Sequence, residues 1–173
     1  GILGHKDDSV RYVGLRDERV SFFNCTYIDP ATGKTRFAGQ DKLVDTQTSY
    51  LLPLAFGIVP DDMRSKVAGC LVNTIQRANT SDDGKQCPPY SLMTGFIGTA
   101  WISRVLSDCG YKDVAYRLLQ QTSYPSWLYS VEQGATTIWE RLNSYTHTDG
   151  FGGNNQMNSF NHYSFGSVGA WMY

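Results

Sequence analysis

The run PDDMRSKVAGCLVNTIQRA, residues 60–78, is the clearest helix in the sequence and indicates the fold class. Pro60 is favoured at a helix start, and the two aspartates that follow lie where the helix dipole stabilises negative charge. Small or apolar residues then recur at a spacing of three or four: Met63, Val67, Cys70, Leu71, Thr74, Ile75 and Ala78. The spacing predicts an amphipathic helix with one buried face.

The rest of the chain has the same helical periodicity on both sides of this run. We predict further helices over residues 10–27, 46–56, 98–109, 112–121, 125–134 and 159–173. Pro53 lies inside the second of these, where it predicts a kink or an early end. Residues 79–90 are polar and contain two prolines, so we expect a loop there. Almost no stretch alternates with a period of two, and the predicted fold is therefore all-α, with paired antiparallel helices.

Composition and charge exclude several classes of partner. The chain has 173 residues, of which 41% are hydrophobic and 18% charged, as in a globular domain or part of one. The formal net charge is −1, the pI is near 6.3 and there is no basic run, so we expect no nucleic acid and no membrane surface as partner. The longest apolar stretch, residues 50–59, is too short to cross a bilayer and contains Pro53 and Gly57.

The cysteines and the first residues bear on the cellular compartment. Cys25, Cys70, Cys87 and Cys109 form no CxxC pair and no zinc-type spacing with histidine, so we predict no metal site. Cys25 and Cys70 fall in helical apolar patterns and are expected to be small buried hydrophobes with reduced thiols. Residues 1–10 have no signal-peptide pattern. These features favour a cytoplasmic location, although this chain resembles a truncated one.

Residues 124–173 carry the chemistry that a carbohydrate site needs. They contain three of the four tryptophans, two of the three histidines and an amide run at residues 154–156. Flat rings stack on sugar faces, and amides and carboxylates form hydrogen bonds with neighbouring hydroxyls. The same composition also fits an aromatic core followed by a glycine-rich loop, and composition alone does not separate the two.

Two residues in this stretch are candidates for catalysis. Glu140 lies between Trp139 and Arg141 in an otherwise uncharged patch, where it is either a general base or one half of an ion pair with an arginine. Glu132 would share a helix face with Glu140 if the segment were one helix, but Gly134 lies between them and argues against a single helix. His162 lies among aromatics, where a histidine is more often a core residue than a catalytic one.

Two other motifs are better explained structurally. The charged cluster at residues 16–19 fits a solvated helix face with local ion pairs. The GFIGT run at residues 95–99 has neither the full glycine spacing nor the lysine of a phosphate-binding loop, so a close backbone approach at a helix start explains it better.

Several distinctive runs follow one another in a fixed order: residues 45–50, 56–60, 94–99, 110–119, 124–127, 134–141 and 157–169. The most specific is GATTIWER, residues 134–141. Together, over roughly residues 10–173, these runs resemble the catalytic domain of the inverting, bacterial-type α-L-rhamnosidases.

The resemblance implies a fold and a set of roles. The family's domain is a barrel of helical hairpins, an (α/α)6 toroid, of which residues 1–173 would form a single partial domain, about the C-terminal half. Glu140 matches the family's general base, and His162 matches a residue near the bound rhamnose. Trp139 and Trp127 match aromatic positions at or behind the cleft, and we expect both to contribute to substrate binding.

The reaction implied is a single displacement on a rhamnose-containing oligosaccharide or glycoside, with no metal and no other cofactor. The family's general acid lies in a Cys-Pro-x-Arg-Asp-Glu-Arg-x-Gly-Trp motif, whose flanking residues are missing around residues 16–19. We therefore expect this chain to carry the base but not the acid, and to be inactive alone. A partial barrel also exposes helix faces, so we expect self-association. The alternative is a non-catalytic helical module that binds carbohydrate or has a structural role.

Overall fold

The protein is built from helices that pack against their neighbours, in a computed structural model that describes residues 2–81, 83–152 and 156–173. A two-stranded antiparallel hairpin of β1 (Asn79–Thr80) and β2 (Gln86–Cys87) connects the third and fourth helices. The helices are α1 (Lys6–Tyr27), α2 (Gln47–Ala55), α3 (Asp61–Gln76), α4 (Gly95–Asp108), α5 (Lys112–Leu119), α6 (Trp127–Glu132), α7 (Tyr163–Gly166) and α8 (Gly169–Met172).

The core lies between α2, α3, α4 and α5. Helix α2 packs on α3 and on α4, and α4 packs on α5. The predicted face of α3 is confirmed, since Val67, Leu71 and Ile75 are buried, whereas Ala78 is exposed because the helix ends before it. Gly98 allows the close backbone approach expected for residues 95–99: a Cβ there would lie 2.6 Å from the Thr94 Cβ.

Helix α2 is short because both of its ends are encoded locally. The Thr46 hydroxyl accepts a hydrogen bond from the Ser49 backbone N–H, and the Ser49 hydroxyl accepts one from the Thr46 N–H, each at 3.2 Å. This capping box fixes the start of the helix. Pro53 lies inside the last turn, and the helix ends at Ala55, two residues before Gly57 with its φ of +62°.

Three sequence predictions about local structure are wrong. Residues 79–90 are not only a loop, because they contain the β1–β2 hairpin. The last helix does not begin at Ser159, since α7 begins at Tyr163 and is separate from α8. Residues 158–162 form hydrogen bonds with residues 137–141 instead of continuing a helix. Cys25 is exposed rather than buried.

Helix α1 has no buried residue, although its sequence is periodic. Its exposed apolar side chains include Val13 and Phe22, each 55% exposed. Bare apolar surface of this kind favours association, so self-association stays a prediction that this helix supports. Among the described residues, no helix combines the length and apolar character needed to span a bilayer.

An ionic contact attaches the connection between α1 and α2 to the end of α3. Asp45 accepts hydrogen bonds from the Tyr50 hydroxyl and from Arg77 Nη1, the latter at 2.8 Å. Partial burial of Asp45 opposes its ionisation, but the hydrogen bonds from Tyr50 and Arg77 outweigh it and leave the pKa of this carboxyl below its ordinary value. The ionised form therefore stabilises the folded state.

We expect the free energy of unfolding to depend on pH through Asp45. A carboxyl with a lowered pKa in the folded state stabilises the fold above its unfolded pKa, and this stabilisation is lost as the pH falls below the ordinary aspartate value of 3.8 and through the lower pKa of the folded state. Asp45→Asn should weaken that dependence; asparagine tolerates the positive φ of 48° at this position. Denaturant titrations across that range measure it, with the exposed Asp41→Asn as control. Equal pH dependence in wild type and Asp45→Asn would contradict the assignment.

Candidate active site

A cleft of about 450 Å³ lies where the hairpin, the start of α4 and the segment after α6 meet. It has both apolar and polar lining residues, as sites for small organic ligands usually have. The side chains that matter below are Ser81, Asp83, Met93, Phe96, Tyr124 and Glu140.

Two short segments, residues 137–141 and 158–162, lie side by side and build the wall that carries Glu140. The His162 N–H donates to the Ile138 carbonyl and the Glu140 N–H donates to the Ser159 carbonyl, each at 2.8 Å. The Thr137 hydroxyl donates to the Phe160 carbonyl. The GATTIWER run, residues 134–141, and the matching run at residues 157–169 therefore meet in one structural unit.

Glu140 is held by this unit and is largely shielded from solvent. Its side chain is 16% exposed, and its Oε2 accepts a hydrogen bond from the Ser159 N–H at 3.0 Å. Its Oε1 lies 3.9 Å from His162 Nε2. Arg141, which follows it in sequence, donates from Nη2 to Asn158 Oδ1 at 3.2 Å. One carboxylate oxygen is thus fixed by backbone, and the side chain lines the cleft.

His162 is oriented by its neighbours rather than buried as a plain core residue. Its ring stacks on Phe96 at 4.8 Å and on Tyr163 at 5.4 Å between centroids. Its Nδ1 accepts the Ser164 N–H at 3.4 Å at the start of α7. Because Nδ1 is an acceptor there, the neutral ring carries its proton on Nε2, the nitrogen nearest Glu140.

Both predicted tryptophans lie behind the cleft wall. Trp127 is 7% exposed, and its Nε1 donates to the Phe165 carbonyl at 2.8 Å. Trp139 is 6% exposed and packs edge-on against Phe160 at 5.3 Å. Neither indole is among the side chains that line the cleft in the described part of the chain. Their placement favours support of the wall, and a direct contact with substrate stays a prediction.

The remaining sequence candidates lie away from the cleft or outside the described residues. Glu132 is exposed at the end of α6, and it is not among the residues that line the cleft. Arg16 and Asp17 form an exposed pair on α1, as expected of a solvated helix face. Asn154 and Asn155 lie outside the described residues. Among the described residues, no group of three or more His, Cys, Asp or Glu is placed to hold a metal ion.

Sequence reasoning missed the role of Gln47 in shaping the cleft. This side chain is 2% exposed; its Nε2 donates to the Ser91 carbonyl and its Oε1 accepts the Met93 N–H, each at 2.9 Å. It therefore fixes the segment that leads into Phe96 and the start of α4. The sequence signal that could have identified it is a glutamine in the first turn of a helix whose later residues are mostly apolar.

Comparisons with known proteins agree with the sequence resemblance. The family described as bacterial alpha-L-rhamnosidase 6 hairpin glycosidase domain matches residues 1–173. An α-L-rhamnosidase from Formosa agariphila is 38% identical over 172 residues, which are 99% of this chain and 17% of that protein. One from Streptomyces avermitilis is 44% identical over 142 residues, 81% of this chain and 13% of that protein.

Solved structures of α-L-rhamnosidases have the same fold. The Streptomyces avermitilis protein, complexed with L-rhamnose, superposes with a TM-score of 0.77 at 40% identity, covering 95% of this chain and 14% of that one. The native Aspergillus terreus protein superposes with a TM-score of 0.79 at 34% identity, and the match covers 98% of this chain and 18% of that one. The predicted fold class, all-α hairpins of a six-hairpin (α/α)6 barrel, is confirmed. The chain spans less than a fifth of the length of these relatives.

Proposed function

Because the chain belongs to the bacterial α-L-rhamnosidase six-hairpin glycosidase family, we propose that the complete protein hydrolyses terminal α-L-rhamnosides. Residues 1–173 would form one part of its barrel, about the C-terminal half, and one wall of its active site. The observation that carries this proposal is the carboxylate of Glu140, held by the Ser159 backbone beside His162 in a cleft of suitable size.

In the proposed mechanism Glu140 is the general base of a single displacement. It takes a proton from a water that attacks the anomeric carbon, so the configuration inverts. The hydrogen bond from Ser159 to Oε2 leaves Oε1 as the oxygen that accepts this proton. His162 lies beside the sugar and, through Nε2, close to Oε1. Trp127 and Trp139 keep this wall rigid from behind.

The general acid of the proposed mechanism comes from outside residues 1–173. Among the described residues that line the cleft, Glu140 and Asp83 are the acidic ones. Hydrogen bonds from Ser81 and then Lys85 hold the pKa of Asp83 at about 2. An acid must be protonated at the working pH, and Asp83 is not, so it does not fit that role. A second carboxyl about 6.5–9.5 Å from Glu140 would leave room for the attacking water.

The stereochemistry of the first product tests this function. The complete protein should hydrolyse 4-nitrophenyl α-L-rhamnoside, and proton NMR should detect β-L-rhamnose before the α anomer appears by mutarotation. Early α-L-rhamnose would contradict single displacement. Binding of L-rhamnose with no hydrolysis would instead favour the alternative, a non-catalytic carbohydrate-binding module.

A further inference from the structure

The tip of the β1–β2 hairpin contributes to the same cleft as Glu140. Ser81 and Asp83 line it, together with Tyr124 from the segment before α6. No hydrogen bond or ion pair in the described part of the chain joins Ser81 or Asp83 to Glu140 or His162. Ser81 and Asp83 therefore add polar groups to the cleft that are not part of the hydrogen-bonded unit that holds Glu140.

We propose that Ser81, Asp83 and Tyr124 form a subsite for the leaving-group sugar, and that this subsite takes a neutral, hydroxyl-rich pyranose. This inference rests on the proposed function, because it assigns the part of the substrate beyond the rhamnose. The cleft, at about 450 Å³, is in the size range of sites for ligands larger than one monosaccharide.

Ser81, Gly84 and Lys85 are held together by backbone hydrogen bonds. The Ser81 N–H donates to the Lys85 carbonyl at 2.9 Å, and the Gly84 N–H donates to the Ser81 carbonyl at 2.8 Å. Gly84 has a φ of +81°, which a glycine adopts without strain. Because Ser81 is held in this way, less conformational entropy is lost when a ligand binds to it.

Asp83 is fixed as a hydrogen-bond acceptor. The Ser81 hydroxyl contacts its Oδ1, and Lys85 Nζ lies 2.9 Å from its Oδ2. The two carboxylate oxygens together have about four acceptor positions, and the Ser81 hydroxyl, the Lys85 side chain and the Lys85 backbone act on this group. A sugar hydroxyl can donate to a position that remains. A carboxylate on the ligand could not, because it would bring only acceptors and a like charge.

Tyr124 supplies the apolar surface of the subsite. Its side chain is partly exposed, and Tyr129 contacts the ring edge-on at 5.4 Å between centroids. Burial and, second, the charge of Asp83 raise the pKa of the Tyr124 hydroxyl, so it keeps its proton as a donor. The Tyr124 ring can stack on one face of a pyranose, while the Asp83 carboxylate accepts a hydrogen bond from a hydroxyl at the edge of the same sugar.

The test compares two substrates in the complete protein: 4-nitrophenyl α-L-rhamnoside and a disaccharide of α-L-rhamnose linked to D-glucose. Asp83→Ala should lower kcat/KM for the disaccharide about tenfold, the order expected from losing hydrogen bonds to a charged group, and change the aryl rhamnoside less than about twofold. Asp83→Asn keeps the shape and one acceptor oxygen and should lose less. The matched control is Asp108→Ala, at the far end of α4. Asp108 is also an ion-paired aspartate, and its side chain is 58% exposed, against 56% for Asp83.

Equal losses on both substrates, or no loss on either, would overturn the subsite. If the wild type hydrolyses neither substrate, the proposed function fails but the subsite can still be tested. Methyl β-D-glucoside is then titrated into the protein and followed by NMR. Binding that weakens in Asp83→Ala and not in Asp108→Ala supports the subsite, and absence of binding overturns it.

Discussion

Replacing Glu140 with glutamine is expected to lower kcat of the complete protein by on the order of 10²–10⁴, the usual contribution of a general base. Glutamine keeps the size of the side chain and can still accept the Ser159 N–H, so the wall should fold unchanged. What is lost is the oxygen that takes the proton from water. Steady-state kinetics on 4-nitrophenyl α-L-rhamnoside measure this, with KM expected to change much less than kcat.

Glu132→Gln is the matched control for this substitution. It makes the same chemical change eight positions earlier, at an exposed site that does not line the cleft. Its kcat should stay within about twofold of wild type, because the Glu132 side chain is exposed and lies outside the lining of the cleft. A large loss at Glu132 with little loss at Glu140 would refute the choice of base.

Much of the helical frame could be predicted from the sequence. The stripe of α3, the end of α2 before Gly57 and the short helix before Gly134 depend on local periodicity and on local start and stop signals. These signals act within a few residues, so a single sequence contains them. The exposure of α1 could not be read in this way, because periodicity states which side chains share a face and not whether that face is covered.

The candidate site was predictable only in part. Glu140 was recognisable as a carboxylate in an aromatic, uncharged stretch, but its partners Ser159 and His162 lie about twenty residues further along the chain. Their pairing depends on backbone hydrogen bonds between two irregular segments, which have no periodic signature. The helix predicted from Ser159 was wrong for the same reason: long-range hydrogen bonds replaced the local ones there.

Asp83 shows why charge alone did not identify a second carboxyl that lines the cleft. Residues 79–90 looked like a solvated loop, and a polar loop is expected at the surface. Only the fold brings Asp83 to the cleft that contains Glu140. Hydrogen bonds from Ser81 and then Lys85 lower the pKa of Asp83 to about 2, so this carboxyl is ionised near neutral pH. An ionised carboxylate can accept hydrogen bonds from a ligand, but it cannot donate a proton as a general acid.

Gln47→Leu is expected to lower the free energy of unfolding by about 2–4 kcal/mol, because it leaves the buried Ser91 carbonyl and the partly buried Met93 N–H without their partner. The matched control is Gln121→Leu: this glutamine also bridges backbone groups, from Nε2 to the Pro89 carbonyl and from the Ser123 N–H to Oε1, but in exposed contacts. Water replaces its hydrogen bonds, so we expect a loss below about 1 kcal/mol. Denaturant titration of both variants measures the difference, and equal losses would mean that burial of Gln47 does not set its contribution.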